Sequence, residues 1–411
     1  MKYDIVFLAR IIPKEIEGEV RQKMVGLMED AAIAWQNHLI EGIEANNDSS
    51  VKILNYLPVN SYPETYKDPI IRRLKFSHVP GALDVNLGYV NIKYIKRFFQ
   101  WIPLRSELKK WVKRDNGKKK VLIAYTMYPE FLGAFQWVKK VHPEIITMNV
   151  VVDMPQFTVL GNRKISFLNH IYRKWSDNKA NASMTSIDGV VAITKQMAEV
   201  LAKDKPYQII EGLCTHEFSN VNSKKDEDKR IFIYAGMLHE KFGVKDLLDA
   251  FGRMQNQNVK LKLCGIGELA QEIINRAKKD NRIEFLGRLT REEVLNELLQ
   301  ADVIVNPRKN VGEFTKYSFP SKNLEALSSG IPFVGYKLAG IPDDYDMYIN
   351  YPNDDSIEAL TAKMVDIIQK YEQYKKRAES AKTWVIENKN CVAQGKKVLD
   401  LIEMIDCKVN R

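Results

Sequence analysis

The sequence has no run of about 18 apolar residues, so nothing in it reads as a membrane span. The opening stretch, MKYDIVFLARIIP, is apolar only briefly before Arg10 and Lys14 and has no small-residue cleavage site. It reads as a first β-strand and not as a signal peptide. Cysteine is scarce. Cys214, Cys264, Cys391 and Cys407 lie far apart and show no metal-ligand spacing, which predicts reduced, buried thiols in a cytoplasmic protein. The first strand is not followed by a Gly-Gly loop, since Gly18 and Gly26 are well separated. No Asp-x-Asp pair sits at a loop suited to a metal, and Asp344-Tyr345-Asp346 reads as a solvated turn. No internal repeat is evident.

What is present fits a soluble α/β protein. With 411 residues, 45% of them hydrophobic and 28% charged, the chain is long enough for two domains. The formal charge of +10 is concentrated. Between Asn91 and Lys120 eleven bases face two acids, a surplus of nine. Within this stretch, Tyr94–Lys113 interleaves Phe98, Phe99, Trp101, Ile102, Leu104, Leu108, Trp111 and Val112 with the bases. Such a segment suits an anionic membrane surface, with aromatics in the headgroup layer and Lys/Arg on phosphates. It equally suits a crossover helix with a solvated basic face. Nucleic acid ranks lower, because no nucleic-acid-binding motif accompanies the charge. Pro103 argues against one continuous helix here.

Strands are expected at 2–9, 51–57, 120–125, 145–152 and 188–193, with a helix over 30–46 whose Ala31, Trp35, Leu39 and Ile43 recur at helical spacing. Residues 9–26 read as a loop, and 62–88, with three prolines, as irregular. His38 reads as a helix-surface histidine. Asp153 follows a predicted parallel strand, where a carboxylate faces the ligand crevice of such folds; it could equally form the turn before Pro155. Residues 162–181 mix bases with apolar groups in a second stretch, including Arg163 and Trp175. Residues 220–230 (NVNSKKDEDKR) lack apolar side chains and read as a linker. The βα alternation then restarts, with strands at 231–234, 259–264, 283–285 and 302–306 and helices at 245–254, 269–279 and 291–300.

The most informative stretch is 313–335, EFTKYSFPSKNLEALSSGIPFVG. Ser321 is the expected N-cap of a helix that places Leu324, Leu327 and Ser328 on one face and ends at Gly330. A short buried strand follows at 331–334. The free N–H groups and dipole of that helix start suit an anion such as a diphosphate. Glu325, one turn in, is placed for a ribose diol.

This stretch resembles the donor-site signature of the family-4 retaining glycosyltransferases, a Glu, seven residues and a second Glu followed by Ala and a Gly. Glu325, Ala326 and Gly330 match its second half; Tyr317 stands where the first Glu is expected, and Glu313 is out of register. Gly236, followed by Lys241-Phe242-Gly243, matches the family's phosphate loop, with Met237 where an Arg is common. Gly287-Arg288-Leu289 matches the turn that holds the base. The resemblance is specific over 231–340.

The resemblance implies an α/β protein of two Rossmann-like doubly wound domains facing across a cleft, the B-type glycosyltransferase architecture. Residues 1–219 would bind the acceptor and 220–379 the donor, with a C-terminal helix from about 380 packing back on the first domain. The implied reaction is retaining transfer of a sugar from a nucleoside-diphosphate donor, UDP or GDP type, to a glycan or lipid-linked acceptor in surface polysaccharide assembly. Lys241 and Asp153 would be catalytic. Gly236, Arg288, Leu289, Tyr317, Ser318, Phe319, Pro320, Lys322 and Glu325 would hold the donor. No metal and no cofactor are implied, and the expected location is the inner face of the plasma membrane. Two alternatives remain: a non-catalytic nucleotide-sugar-binding subunit, given Tyr317 and Met237, and a nucleotide-sugar epimerase with similar paired domains.

Overall fold

The first strand, β1 (Asp4–Ala9), is buried along almost its whole length, as a central parallel strand must be. A computed structural model describes it together with the rest of residues 3–26, 28–93, 95–154, 182–214 and 229–409. After β1 come β2 (Lys52–Asn55), β3 (Ile70–Ile71), β4 (Leu74–Phe76), β5 (Asp84–Asn86), β6 (Tyr89–Val90), β7 (Lys120–Tyr125), β8 (Ile146–Val151), β9 (Gly189–Ala192) and β10 (Tyr207–Ile209). Eight of them form one sheet in the order β10-β9-β8-β7-β1-β2-β5-β4. Every pairing is parallel except β4 with β5. The chain runs from β1 outward to β2, then crosses back to β7 and continues the other way, so the topological switch lies between β1 and β7.

The segment expected to be irregular, 62–88, contributes β3, β4 and β5. Strands of two or three residues leave too little alternation to be read from sequence. Within 9–26, the stretch Glu17–Lys23 is helical, against the expected loop. The expected break at Pro103 is absent: Lys96–Lys113 is one helix. Gln100 before the proline and Leu104, Leu108 and Trp111 after it are buried, and their packing outweighs a proline cost of about 3 kcal/mol. His38 lies on the helix Asp30–Ala45, 3.4 Å from Glu41, as a surface histidine does. All four cysteines are free thiols; Cys214 and Cys264 are buried as expected, whereas Cys407 is exposed and Cys391 half-buried.

By contacts, the chain divides into two compact units, Met1–Leu213 with Cys391–Arg411, and Cys214–Asn390. The chain leaves the second unit after 390, later than position 380. The helix Tyr371–Asn388 remains in that unit because Ala381 and Val385 share a core with Leu324, Leu327 and Ile331. The last helix, Cys391–Val409, packs in the first unit against Asp30–Ala45. Gly42 and Gly395 meet at that crossing, and a Cβ on Gly395 would overlap the Gly42 backbone.

The second unit holds β11 (Arg230–Ala235), β12 (Val259–Cys264), β13 (Ile283–Gly287), β14 (Val303–Asn306) and β15 (Phe333–Gly335). They form an all-parallel sheet in the order β13-β12-β11-β14-β15. Phe232 and Tyr234 enter one core, with Leu247, Phe251, Leu261 and Met364; Ile231 and Ile233 enter the other, with Ile304, Leu324, Leu327 and Phe333. The two-residue period of β11 therefore feeds both faces, and each fully buried large apolar side chain contributes roughly 1.5–3 kcal/mol. This is a doubly wound unit whose switch point lies between β11 and β14.

Candidate functional site

Ligands of doubly wound sheets bind beyond the carboxyl ends of the strands at the switch point. In the second unit this is where β11 ends at Ala235 and β14 at Asn306. The backbone here is crowded. Gly236 N–H donates to the Cys264 carbonyl at 2.9 Å, and Leu238 N–H to that of Ile266 at 2.8 Å. Gly265, at φ +141°, has no room for a Cβ, which would overlap the Gly236 carbonyl oxygen. Gly243, at φ +76°, abuts the Pro307 carbonyl in the same way. The glycines thus let the turns after β11, β12 and β14 close on one another.

Three polar groups converge at this point. Lys322 lies in the first turn of the helix Ser321–Ser329. Its ammonium donates to the Ala235 carbonyl and occupies the space a Gly236 side chain would need. Burial holds its pKa below the usual lysine value, opposed by Glu325 and Cys264. Glu325 lines the same small cavity, with Tyr234, Ala235, Asn306 and Lys322. Its Oε1 is 3.9 Å from Arg291 Nη2. Asn306 Nδ2 donates to Asn323 Oδ1 at 3.0 Å, tying the end of β14 to the helix.

Arg308 adds a cation that sequence reasoning missed. Its Nη2 donates to Ser318 Oγ at 3.0 Å. Its guanidinium carbon is 5.1 Å from the Phe314 ring centroid and 5.7 Å from that of Phe242. Among the described residues it has no carboxylate partner, and its buried Nε has no hydrogen-bond partner. Burial lowers its pKa, with Tyr234 opposing. The next residue differs: Lys309 is neutralised by Asp246 at 2.5 Å. The available signal was position, since Arg308 stands two residues past the carboxyl end of a predicted strand.

The remaining expected residues fall as follows. Ser321 is the first helical residue; the N-cap is Pro320, and no side chain caps the helix. Pro320 stops the chain in an extended conformation, which moves the helix start by one residue against the expected cap. Phe319 is 8% exposed and packs on Tyr345 at 5.4 Å, so its side chain belongs to the core. Tyr317 ends a short 3-10 turn that begins at Glu313, and Glu313 pairs with Lys316 at 2.9 Å. Lys241 is exposed on the turn Glu240–Phe242, outside the cavity lining, with its ammonium 5.0 Å from the Phe242 ring. Arg288 is exposed and Leu289 half-buried, just past β13 and before the Thr290–Glu293 capping box. Asp346 pairs with Lys337 and Asp344 with Lys389, so Asp344-Tyr345-Asp346 serves local structure.

Asp153 belongs to the first unit, two residues past β8. It is exposed, yet its pKa is raised, first by desolvation against the strand ends and then by the charge of Glu29. The basic stretch Arg163–Trp175 and residues 220–228 of the expected linker 220–230 lie outside the described residues.

Residues 216–384 match the family described as Glycosyl transferases group 1. No curated protein matches the sequence. Among solved structures, sucrose-phosphate synthase from Thermosynechococcus elongatus superposes with a TM-score of 0.62 at 14% identity, covering 99% of this chain and 100% of that one. HepE of Anabaena, in complex with UDP, gives 0.62 at 12% identity, covering 98% and 100%. The lipopolysaccharide outer core galactosyltransferase WaaB gives 0.59 at 15% identity, covering 98% and 99%. At these identities the superpositions establish the fold, and the family match covers the unit that carries the crowded turns, Lys322 and Glu325. The chain therefore has the fold of the B-type glycosyltransferases, with two Rossmann-like domains, and its match to the group 1 glycosyl transferases lies within the second unit.

Proposed function

We propose that the chain transfers a sugar from a nucleoside-diphosphate sugar to a glycan or lipid-linked acceptor, with retention at the anomeric carbon. One observation carries this reading: a glycine-crowded turn, the Lys322 and Arg308 cations and the Glu325 carboxylate meet at one switch point. The leaving diphosphate gains charge in the transition state, and fixed cations and backbone N–H groups stabilise it without reorganising. Lys322 and Arg308 take that role at the turn, with Lys241 at its rim. Glu325 receives the ribose hydroxyls, and the turn at Arg288-Leu289 the base. HepE with UDP and a plant starch synthase with ADP have the same fold, which supports a nucleotide donor. Asp153 and the first unit serve the acceptor.

The helix Lys96–Lys113 supports work at an anionic membrane surface, as part of surface polysaccharide assembly on the inner face. Phe98 is 70% and Ile102 56% exposed on it, beside the exposed bases Arg105, Lys109 and Lys113. No helix among the described residues is long and apolar enough to cross a membrane, so attachment here is peripheral.

The test is a panel of UDP-, GDP- and ADP-sugars, scored first by thermal shift and then by NMR of the products. A donor that raises the melting temperature and yields a product of unchanged anomeric configuration supports the reading. Inverted product removes retention. Isomerised donor without acceptor indicates an epimerase, and binding without turnover a non-catalytic subunit.

A further inference from the structure

The first unit has its own switch point, between β1 and β7, and a cavity of about 180 Å³ opens there. Its lining is charged. Arg10 follows β1 directly; Lys96 and Arg97 come from the first turn of the helix Lys96–Lys113; Glu130 comes from the helix Pro129–Val141.

These charges do not cancel. Arg97 Nη1 pairs with Glu130 Oε2 at 3.3 Å. Arg10 and Lys96 have no carboxylate within ion-pair reach among the described residues. Arg10 Nη2 reaches the carbonyls of Leu57 at 3.3 Å and Val59 at 3.5 Å, and its guanidinium lies 4.4 Å from the Tyr128 ring centroid. Its buried Nε has no partner among the described residues. Among the described residues the Lys96 ammonium reaches only the Val59 carbonyl, at 3.5 Å. Its pKa is pushed down to about 8, by burial first and then by the charges of Arg10 and Arg97. Glu29, at the exposed rim, is the other acid of the lining.

The site is also preorganised. The Gln36 side chain accepts from Arg10 N–H at 2.8 Å and donates to its carbonyl at 3.0 Å, which fixes where the guanidinium starts. A fork-shaped guanidinium and a point-like ammonium, from different elements, suit the several oxygens of a phosphate. A phosphate monoester carries about −1.5 to −2 at neutral pH and can meet Arg10 and Lys96 together, in a lining whose three bases outnumber its two acids. The helix that supplies Lys96, Arg97 and Gln100 to the cavity turns Phe98 and Ile102 to solvent. A ligand with a phosphate head and an apolar tail fits both surfaces.

We propose that this cavity binds the phosphate of a phosphorylated lipid, the acceptor class of the transferase. The lipid's role as acceptor rests on the function proposed above; the phosphate site does not.

The experiment is calorimetric titration of the full chain with octyl phosphate, inorganic phosphate, octyl glucoside, UDP, GDP and ADP, for the parent and Lys96→Met. Octyl phosphate is expected to bind the parent more tightly than inorganic phosphate or octyl glucoside, and Lys96→Met at least tenfold more weakly. The melting temperature of Lys96→Met at pH 7 is expected to stay level or rise, because the variant removes a charge that the fold holds below its usual pKa. A purely structural lysine would move it down. Arg10→Gln is expected to weaken octyl phosphate as well, but Lys96→Met decides, since Arg10 also braces the 57–59 backbone. Equal octyl phosphate binding by parent and Lys96→Met overturns the site. Inorganic phosphate binding as tightly as octyl phosphate overturns the lipid and leaves a free phosphate as the ligand. If octyl phosphate binds as expected but UDP, GDP and ADP all fail to bind the parent, the donor reading falls and the phosphate site stands.

Discussion

Replacing Arg308 by Met separates the phosphate contribution of the second unit from everything else there. Among the described residues the guanidinium has one hydrogen-bond partner, Ser318 Oγ, and it lies against the Phe242 and Phe314 rings. Met keeps most of the apolar stem that packs on those rings and removes only the charged fork. The freed Ser318 hydroxyl is half-buried and can turn to water, so the folding cost is expected to be about 1 kcal/mol or less. A charge-assisted hydrogen bond to a diphosphate contributes about 1.5–3 kcal/mol, which corresponds to roughly a 10- to 150-fold weaker Kd. Titration with UDP and with uridine (or the matching pair for whichever base the panel selects) reads the difference, because only the diphosphate form meets Arg308. UDP binding should weaken by that factor while uridine binding holds. Glu325→Ala is the internal contrast: a ribose ligand should weaken both probes alike. If Arg308→Met leaves UDP binding unchanged, or weakens uridine as much as UDP, Arg308 is not a phosphate ligand.

Two further outcomes follow from charges elsewhere in the first unit. His78 sits between Asp84 Oδ2 at 2.6 Å and Glu44 Oε1 at 3.0 Å; burial lowers its pKa, but these carboxylates prevail and hold it at about 9. A raised histidine stabilises fully below its unfolded pKa of about 6.5 and loses that contribution as pH rises through its folded value. Melting curves should therefore show the parent losing its advantage over His78→Gln, on the order of 1–3 kcal/mol, between about pH 6.5 and 9, and parallel curves would refute the pairing. On the helix Lys96–Lys113, Glu107 already accepts Lys110 at 2.7 Å and Arg73 at 3.1 Å, whereas the exposed bases Arg105, Lys109 and Lys113 make no ion pair among the described residues. Reversing these three to Glu should abolish salt-sensitive co-sedimentation with anionic vesicles, each base contributing about 1 kcal/mol; sedimentation that survives the reversal refutes the surface.

The fold was legible where short-range rules act alone. The helix spans Arg291–Gln300 as expected, and Thr290 and Glu293 close a capping box at its start. Gly330 ends its helix at φ +75°. Legibility failed where distant packing overrules a local preference. Pro103 continues a helix because residues on both sides of it are buried. The Gly42–Gly395 crossing and the contact of Lys322 with the Ala235 carbonyl join parts of the chain that no local pattern relates. In the candidate site, the motif glycines and Glu325 could be placed by spacing. Arg308 could not, because an arginine after a strand has no signature until the absence of a nearby carboxylate is seen.

That absence has an energetic meaning in both units. Taking a cation from water into a protein costs several kcal/mol unless a partner compensates, and elsewhere this chain supplies one: Lys309 has Asp246, Arg97 has Glu130, and Arg282 has Asp280. Arg10 and Arg308 make no such ion pair among the described residues, although Glu130 and Glu29 lie close enough to raise the pKa of Arg10, while burial lowers that of Arg308. Each stands within two residues of the carboxyl end of a strand that borders its sheet's switch point, and each keeps a buried Nε without a partner among the described residues. Lys96 extends the pattern in the first unit, with its pKa pushed down to about 8. Packing alone gives no reason to hold unmatched charge there, since an apolar residue of similar volume would fold at lower cost. In the function proposed above, the compensating gain is a ligand's negative charge, the leaving diphosphate in the second unit and the acceptor's phosphate in the first. On that proposal, stability given up at Arg308 and Lys96 is the trace that function leaves in the fold.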